Sequence, residues 1–312
     1  MTLLLPRSQA SSRLPLSASR GYRRCDLCGR TDPQLFLRSP RLDGPLVRCR
    51  GCGLIYVGAR SHDFTFVSSD AARTAALGEM VDRLGIVDRD LEDSDLGRQG
   101  DRESDRLALL LRHVDQGRLL DVGASTGEFL AAAAAAGFTP IGVEPDPGTS
   151  AAARAGGLDV TTGTLDSVGA VAGGYDAVTM FHVIEHLDSP RAALGQIRAL
   201  LRPGGVVLIE TPRVDCAWFA LAPGRWRQLI PDHYWFFSLA TLSALMRDTG
   251  FEVLEHQQAS REVSLQLLAD RLRRGGLPGA VGLGRAVSRS GLGQRRVRVN
   301  PGDIMQVVGR AN

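Results

Sequence analysis

The feature that most constrains the fold of this chain is a short apolar run followed by a glycine-rich turn and an alanine-rich segment. The run spans residues 119–122, Gly123 and Gly127 lie in the turn, and residues 128–136 have strong helix-forming composition up to Gly137. A buried strand that turns tightly into a helix is typical of a parallel sheet covered by helices. The segment therefore predicts an α/β domain.

Strand-like and helix-like segments alternate through the rest of the chain. A Ser-Pro pair at 189–190 predicts the start of one helix, and Ser238 predicts the cap of another. A further helical piece is expected at 263–274, in a stretch that breaks the alternation. Apolar runs predict strands at 139–143, 175–181, 206–210, 251–254 and 303–308. This alternation predicts a mostly parallel sheet with helices on both faces.

The composition excludes several function classes. All 37 cationic side chains are arginine, so a mechanism that needs a lysine amine, such as Schiff-base formation, is excluded. The net charge of +3 is too small to indicate nucleic-acid binding by itself. No stretch approaches the roughly 18 to 20 apolar residues that a membrane span needs. We therefore expect a soluble protein.

Four of the five cysteines form two closely spaced pairs. Cys25 and Cys28, like Cys49 and Cys52, are separated by two residues, and a glycine follows each pair. Such turns direct two sulfurs at one centre, and two turns complete a tetrahedral zinc site. Two disulfides or a redox pair are the alternatives. We expect a structural zinc ribbon in a reducing compartment, the cytoplasm, and a core position for Cys216.

Composition also indicates the division of the chain. Residues 1–20 carry arginines and serines but no acid, which is typical of a disordered tail, with a transit peptide as the alternative. The zinc ribbon is expected at 21–60. A charge-rich helical connector, interpreted as a solvated face, is expected at 61–106. The α/β domain would span 107–312, with an insertion at about 260–298.

The turn after the first strand of this domain has the properties of a ligand site. Its glycines allow the backbone to approach a ligand closely, and the helix N-terminus offers free amides. A dinucleotide fingerprint would need glycine at position 125, where Ser125 stands, so the turn suits a smaller ligand without phosphate. Glu144 ends the second strand, where a carboxylate can accept both hydroxyls of a ribose.

These segments resemble the class I S-adenosylmethionine-dependent methyltransferases, and most closely the subgroup near the ubiquinone-biosynthesis O-methyltransferases, which includes members with an N-terminal zinc ribbon. The resemblance rests on DVGASTGEFL, IGVEPDP, YDAVTMFHVIEHLDSP, LLRPGGVVLIETP and HYWFFSLATLSALMRDTGFEV, with VNPGDIMQVVGRA resembling the final strand. It implies a Rossmann-like sheet of seven strands that is mostly parallel, with one antiparallel strand.

The resemblance also assigns residues to the cofactor. It implies that Glu144 binds the ribose. Asp166 matches the region that contacts adenine, and the alternative is a solvated loop acid. The residues implied to surround the amino-acid part of S-adenosylmethionine are Asp121, Gly123, Ser125 and Gly127.

Catalytic candidates follow the strand expected at 175–181. His182, Glu185 and His186 are spaced so that all three would share one face of a helical turn. A hydroxyl acceptor must lose its proton or bind a metal, and histidine suits general-base catalysis near neutral pH. The ubiquinone-type relatives bind a divalent metal here with acids and a histidine, but this chain has His182 where they carry an acid. A general base, metal assistance and purely structural roles all stay open.

A further candidate, His233, precedes the helix that Ser238 is expected to cap, in a region where relatives place substrate-facing residues. Trp226, Tyr234 and Trp235 are close to it in sequence. These aromatic residues either belong to the core or form a substrate pocket in which His233 donates or abstracts a proton.

The sequence predicts a methyltransferase that acts on the oxygen, or the carbon, of a small molecule such as an activated sugar. The alternative is an RNA or protein methyltransferase that binds its substrate with the ribbon and with residues 271–302, which hold eight arginines and no acid. Nucleic acid is the less favoured partner, because the chain lacks both an Asn-Pro-Pro-aromatic motif and a cysteine directly after the strand at 175–181. A zinc-ribbon binding module without activity is the third class, and the intact cofactor turn argues against it.

Overall fold

The computed structural model of the protein describes residues 22–42, 44–59, 99–168, 174–274 and 279–312. The expected tail at 1–20, and residues 61–98 of the expected connector, lie outside these ranges. The strands in the described part are β1 (Gln34–Leu37), β2 (Leu46–Arg48), β3 (Ile55–Val57), β4 (Gly117–Val122), β5 (Phe138–Glu144), β6 (Val160–Thr162), β7 (Tyr175–Phe181), β8 (Leu201–Pro212), β9 (Trp235–Phe236), β10 (Phe251–Gln258), β11 (Arg261–Ser264), β12 (Arg296–Val299) and β13 (Ile304–Ala311).

The helices in the same ranges are α1 (Gln99–Leu110), α2 (Glu128–Ala135), α3 (Pro147–Ala155), α4 (Pro190–Leu200), α5 (Ala217–Leu221), α6 (Leu239–Asp248), α7 (Leu265–Arg274) and α8 (Ala280–Arg289). None of these described helices has the length and apolar composition that crossing a membrane requires.

The larger sheet confirms the predicted Rossmann-like architecture. Its strand order is β10-β13-β8-β7-β4-β5-β6, and among these described strands only β13 runs antiparallel to its neighbours. Near the carboxyl end of β8, Glu210 lies opposite Phe181 of β7 and Gln306 of β13. The carboxyl ends of the parallel strands therefore meet at one edge, where ligands bind in open α/β sheets.

Helices cover both faces of this sheet, because side chains alternate between the faces along each strand. On β8, Leu208 packs in one apolar cluster with Leu109 of α1 and Phe129 of α2. Ile209 points to the opposite face, which α4 and α6 cover. Glu210 follows on the α1 side, so a carboxylate ends an otherwise apolar row.

Local capping residues start two helices where the sequence predicts them. The Ser189 hydroxyl accepts the amide of Ala192 at the start of α4, and the Ser238 hydroxyl accepts the amide of Thr241 at the start of α6, both at 3.1 Å. Several expected bounds are wrong. The strands expected at 251–254 and 303–308 continue to Gln258 and Ala311. β8 begins at Leu201 and not at 206, because Leu201 already pairs with β7 across a register shift. α7 begins at 265 and not at 263, because residues 261–264 pair with β12.

The smaller sheet joins the N-terminal segment to the rest of the protein. Its order, β1-β2-β3-β9, places a short strand from the far part of the chain beside β3. Tyr56 lies opposite Trp235, and the amide of Val57 donates to the carbonyl oxygen of Tyr234 at 2.9 Å. Apolar residues of β2, β3 and β9 belong to the cluster that also contains residues of α4 and α6. The N-terminal segment and the larger sheet therefore share a core.

Between β10 and β13 the chain forms the antiparallel pair β11 and β12, with the helices α7 and α8 between these two strands. The two helices pack on each other, and Arg298 of β12 forms an ion pair with Asp105 of α1. This segment thereby lines the same cavity as Glu210.

Candidate functional site

The sulfurs of Cys25, Cys28, Cys49 and Cys52 lie within 4.8 Å of one another, as the spacing predicts. The Sγ–Sγ distance is 3.4 Å between Cys25 and Cys52 and 3.3 Å between Cys28 and Cys49, and all four are free thiols. A tetrahedral zinc with Zn–S bonds of about 2.3 Å needs sulfurs about 3.8 Å apart. Small movements would bring the sulfurs to that spacing, so the cluster is compatible with a zinc site.

The backbone around these sulfurs depends on its glycines. Gly29 and Gly53 have φ values of 74° and 79°, which turn their amides back to the carbonyl oxygens of Cys25 and Cys49 at 2.8 and 3.0 Å. The amide of Gly51 points at Cys49 Sγ at 3.4 Å. Burial raises the pKa of the Cys49 thiol, but backbone amides and the neighbouring thiols of Cys28 and Cys25 outweigh burial and lower that pKa to about 7. Burial raises the pKa of the Cys25 and Cys52 thiols. The thiolate is the form that binds metal.

The turn after β4 has a backbone shape that few side chains permit. Gly123, Ser125 and Gly127 have φ values of 77°, 51° and 88°. A Cβ atom added at Gly123 would lie 2.4 Å from the Val183 side chain, and one added at Gly127 would lie 2.2 Å from Leu158. Both positions therefore need glycine. Ser125 holds the left-handed conformation as a non-glycine residue, which is typical of functional turns.

Two carboxylates flank this turn. Asp121 is buried at the end of β4, where burial raises the pKa of its carboxyl group to about 7 despite a 2.6 Å hydrogen bond from the Thr179 hydroxyl. Glu144, at the end of β5, accepts the amides of Ser125 and Asp146, each at 2.9 Å. Each Glu144 oxygen thus accepts one amide and keeps capacity for a hydroxyl group.

Asp166 lies in a single 3-10 turn at 165–167, after β6. Its carboxylate accepts a hydrogen bond from Gln196 Nε2 of α4 at 2.6 Å. A hydrogen bond from α4 therefore holds Asp166, the residue expected near adenine. Among the described hydrogen bonds, none joins Asp166 to Asp121, Glu144 or the glycine turn.

His182 follows β7 in a left-handed conformation, with φ of 56°, and its ring lies between two carboxylates. Its Nδ1 is 3.3 Å from Glu185 and its Nε2 is 3.1 Å from Glu210, while its amide donates to the Glu210 carbonyl at 2.8 Å. Burial lowers the pKa of the ring, but hydrogen bonds with both carboxylates outweigh burial and raise it. About 30% of the side chain stays exposed, so an acceptor can reach it.

Glu210 and Arg106 are site residues that the sequence analysis did not identify. Arg106 donates two hydrogen bonds to Glu210, at 3.2 and 2.5 Å, and one to Glu103 at 2.8 Å. Gln306 donates to Glu210 at 2.6 Å. Arg106 and Glu103 are each 6% exposed, so the interpretation of the charge run as a solvated face is wrong for both. Glu103, Arg106 and Leu109 follow one another at intervals of three residues, which places them on one face of α1. This spacing in the sequence indicated that Glu103 and Arg106 share the buried face with Leu109.

Glu185 connects His182 to the neighbouring strand. One of its oxygens contacts His182, and the other accepts the Thr211 hydroxyl at 2.9 Å. Burial raises the pKa of this carboxyl group, but the hydrogen bond from His182 outweighs burial and lowers the pKa to about 2. Only residues 184–186 form a helical turn here. His182 therefore meets Glu185 through its left-handed backbone and not through the expected helical spacing.

Glu185, His186 and His233 place ligand atoms within 4.8 Å of one another, so together they could hold a metal ion. His233 Nδ1 lies 3.0 Å from the carbonyl oxygen of Gln228, and His186 Nδ1 lies 2.9 Å from that of Asp232. Burial, followed by the neighbouring His186, lowers the pKa of His233 to about 4. His233 is only 3% exposed. A neutral, enclosed ring can act as a ligand or a support, but an acceptor cannot reach it directly.

The aromatic residues near His233 are core residues. Trp226, Tyr234 and Trp235 are each at most 2% exposed. The indole nitrogen of Trp235 donates to the carbonyl oxygen of Leu187 at 2.7 Å. These residues therefore join the N-terminal segment to residues 182–187, the histidine segment. They do not line an aromatic substrate pocket.

Comparison with known families identifies the α/β domain. A family model described as a methyltransferase domain matches residues 96–256, just over half of the chain. The chain belongs to this methyltransferase family. The match confirms the family that the resemblance implied, and the matched range includes the glycine turn, Glu144 and residues 182–187.

Curated relatives of the methyltransferase align with part of their length. A probable S-adenosylmethionine-dependent methyltransferase from Mycolicibacterium smegmatis is 35% identical over 115 residues, 36% of this chain and 43% of the relative. A ubiquinone biosynthesis O-methyltransferase from Xanthomonas axonopodis is 30% identical over 150 residues, 44% of this chain and 63% of the relative. The chain thus spans about half the length of the curated relatives it matches.

A solved structure agrees on the fold. A chain of a complex between the Haloferax volcanii Trm112 methyltransferase activator and a putative methyltransferase is 19% identical, with a TM-score of 0.51. The match covers 78% of this chain and 99% of that chain. At this identity the similarity shows the fold alone, and the roles of individual site residues stay predictions.

Proposed function

We propose that the protein transfers a methyl group from S-adenosylmethionine to a hydroxyl oxygen of a small-molecule acceptor, and that nucleic acid is not its substrate. The observation that carries this proposal is the partly exposed His182, held at the carboxyl end of β7 between Glu185 and Glu210. A histidine backed by a carboxylate is suited to take a proton from a hydroxyl group. Relatives named as O-methyltransferases support an oxygen acceptor.

The residues around the glycine turn fit S-adenosylmethionine, which supplies an electrophilic methyl group when bound. Glycine at 123 and 127 leaves the turn open to a ligand. The Glu144 carboxylate has capacity for the ribose hydroxyls, and Asp121 lies beside the turn for the amino-acid part. Alignment of the two reactants is where such a site gains much of its rate.

His182 would take the proton of the acceptor hydroxyl. Burial raises the pKa of the Glu210 carboxyl group, but Arg106 outweighs burial and holds that pKa well below its usual range. Glu210 and Glu185 therefore stay ionised and stabilise the imidazolium that forms. Because both ring nitrogens contact a carboxylate, the hydroxyl must replace Glu210 at Nε2 to give up its proton.

The cysteine cluster is proposed to hold one structural zinc. Its four sulfurs fill a tetrahedral coordination shell and leave no open position for a substrate. The group formed by Glu185, His186 and His233 is the place where a metal-assisted mechanism would act, as the competitor of proton transfer to His182.

The test separates cofactor binding from chemistry. Methyl-labelled S-adenosylmethionine is incubated with the enzyme and a cell extract, and label is measured in the small-molecule, RNA and protein fractions. We expect Glu144→Ala to weaken S-adenosylhomocysteine binding by about 2 to 3 kcal/mol, since two hydroxyls lose a charged acceptor. We expect His182→Ala to reduce labelling about 100-fold while leaving that affinity nearly intact. The exposed His256 supplies the matched control, His256→Ala.

The pH dependence has a defined sign. The neutral ring of His182 is the base and its pKa is raised, so turnover should increase with pH through a value above the ordinary 6.5 or so. If His182→Ala keeps full activity, His182 is not the general base. Label in the RNA or protein fraction would overturn the small-molecule acceptor.

A further inference from the structure

A cleft of about 260 Å³ lies between α1, the ends of β8, β10 and β13, and the inserted strand β12. We call it the arginine cleft, after the three arginines in its lining. The residues that define it are Arg102, Asp105, Arg112, Gln257, Arg298 and Gln306, with Glu210 between α1 and the sheet.

The arginine cleft is connected to His182 by a short chain of hydrogen bonds. Gln257 donates its amide to the Gln306 oxygen at 2.7 Å, and Gln306 donates to Glu210 at 2.6 Å. Glu210 in turn lies 3.1 Å from His182 Nε2. A molecule in this cleft therefore touches the same carboxylate as the proposed base.

The walls of the cleft are polar. Apart from two alanines, every lining residue carries a charge, an amide or a hydroxyl group. Pockets for small molecules are usually lined mainly by apolar side chains. An apolar acceptor, such as one with a long hydrocarbon chain, would remove water from these polar and charged groups without offering hydrogen bonds in return. The cleft therefore suits an acceptor that makes hydrogen bonds itself.

The cleft is lined by three arginines and two acids. The arginines are Arg102, Arg112 and Arg298, and the acids are Asp105 and Glu210. Glu210 is paired with the buried Arg106, and Arg112 is paired with Glu255. Arginine is the residue best suited to bind phosphate or carboxylate, because its fork makes two parallel hydrogen bonds.

Two of these arginines have carboxylate partners. Arg112 donates to Glu255 at 2.8 Å and to Gln257 at 3.0 Å. Arg298 is paired with Asp105, and their side chains are 59% and 40% exposed, so a stronger anion can displace Asp105. Arg298 belongs to the segment inserted between β10 and β13, which is the type of segment that sets specificity in this fold.

We propose that the arginine cleft binds the methyl acceptor through an anionic group of that acceptor, a phosphate or a carboxylate, with Arg298 as its principal contact and the glutamine amides on its hydroxyls. This proposal rests on the proposed function, because it takes the molecule bound in the cleft to be the methyl acceptor whose hydroxyl gives its proton to His182.

The test is calorimetry on the full chain saturated with S-adenosylhomocysteine, with glucose 1-phosphate, glucuronate and uncharged methyl glucoside as probes. We expect the charged probes to bind at least tenfold more tightly than methyl glucoside, and more weakly as salt rises. Arg298→Gln should remove most of that difference, and Arg298→Lys should restore part of it. Arg289→Gln, at an exposed arginine of α8, is the matched control and should bind like the wild type.

The outcomes separate this proposal from the function. Tighter binding of glucose 1-phosphate assigns a phosphate, and tighter binding of glucuronate assigns a carboxylate. Equal binding of all three probes, or unchanged binding in Arg298→Gln, overturns the cleft proposal while S-adenosylhomocysteine binding leaves the methyltransferase function standing. If the wild-type protein does not bind S-adenosylhomocysteine, the proposed function itself is refuted.

Discussion

The cysteine cluster and the histidine–carboxylate site each gather several polar side chains, but they are assembled over very different distances along the chain. All four cysteines lie within residues 25–52, and two local turns direct them at one point. The site around His182 depends on Arg106 and Glu210, which are 104 residues apart, and on Gln306 from β13. The cysteine cluster can be recognised from residue spacing in the sequence. The site around His182 is assembled only when the sheet forms.

One short segment connects the two sites. The carbonyl oxygen of Tyr234 accepts the amide of Val57 in β3, and the amide of Tyr234 donates to the carbonyl oxygen of Glu185 at 2.8 Å. Tyr234 therefore bonds to β3 through its carbonyl oxygen and to Glu185 through its amide. The stability of the ribbon should consequently affect the geometry around Glu185.

The largest expected effect comes from breaking the cysteine cluster. Cys49→Ser should abolish tight zinc binding and lower the free energy of unfolding by about 5 kcal/mol or more, because bound structural metal contributes folding energy. Hydrogen exchange should show faster exchange at the amides of Val57 and Tyr234 together. Cys216→Ser, at the cysteine outside the cluster, is the matched control and should retain one zinc per chain.

The same experiment can separate the two regions. If Val57 loses protection in Cys49→Ser while Tyr234 keeps it, β9 does not transmit the state of the cluster, and the two sites are independent.

Local signals explain what the sequence could predict. Ser189 and Ser238 cap their helices through bonds to residues three positions later, and the glycine turn follows from residues 123–127. The pairing of β9 with β3 had no such signal, because it depends on how the ribbon packs against the large sheet. The burial of Arg106 was missed for the same reason, since its partner Glu210 lies on a distant strand.

A smaller effect is expected from breaking the histidine–carboxylate site. Glu210→Ala leaves the buried Arg106 with Glu103 as its remaining described carboxylate partner, and it should cost about 3 to 5 kcal/mol of stability. Because the network lies on the α1 side, zinc content and exchange at Val57 should stay unchanged. Denaturant unfolding with metal analysis measures both quantities.

The exposed Glu252 of β10 gives the matched control, Glu252→Ala, which should change stability by less than about 0.5 kcal/mol. If Glu210→Ala loses zinc, a change at the histidine–carboxylate site destabilises the cysteine cluster. The two sites would then depend on each other, and the effect would not run only from the ribbon to the histidine segment.

The smallest effect is expected from the polar contact that accompanies β9. Arg191 of α4 donates to the carbonyl oxygens of Asp26 and Leu27 in the ribbon, and its own amide and the Ser189 hydroxyl bond to the Asp26 carboxylate at 2.7 and 2.8 Å. Arg191→Ala removes only the side-chain bonds. At 37% exposure these bonds should contribute about 1 kcal/mol to stability, since water replaces part of what is lost.

Arg198→Ala, on the same helix, supplies the control for a lost arginine without a described bond to the ribbon. If β9 carries the coupling, Arg191→Ala should lower the free energy of unfolding slightly and leave exchange at Tyr234 as in the wild type. If Tyr234 instead exchanges as fast as in Cys49→Ser, the contact between Arg191 and Asp26 carries the coupling. The pairing of β9 with β3 would then be a consequence of ribbon docking and not its cause.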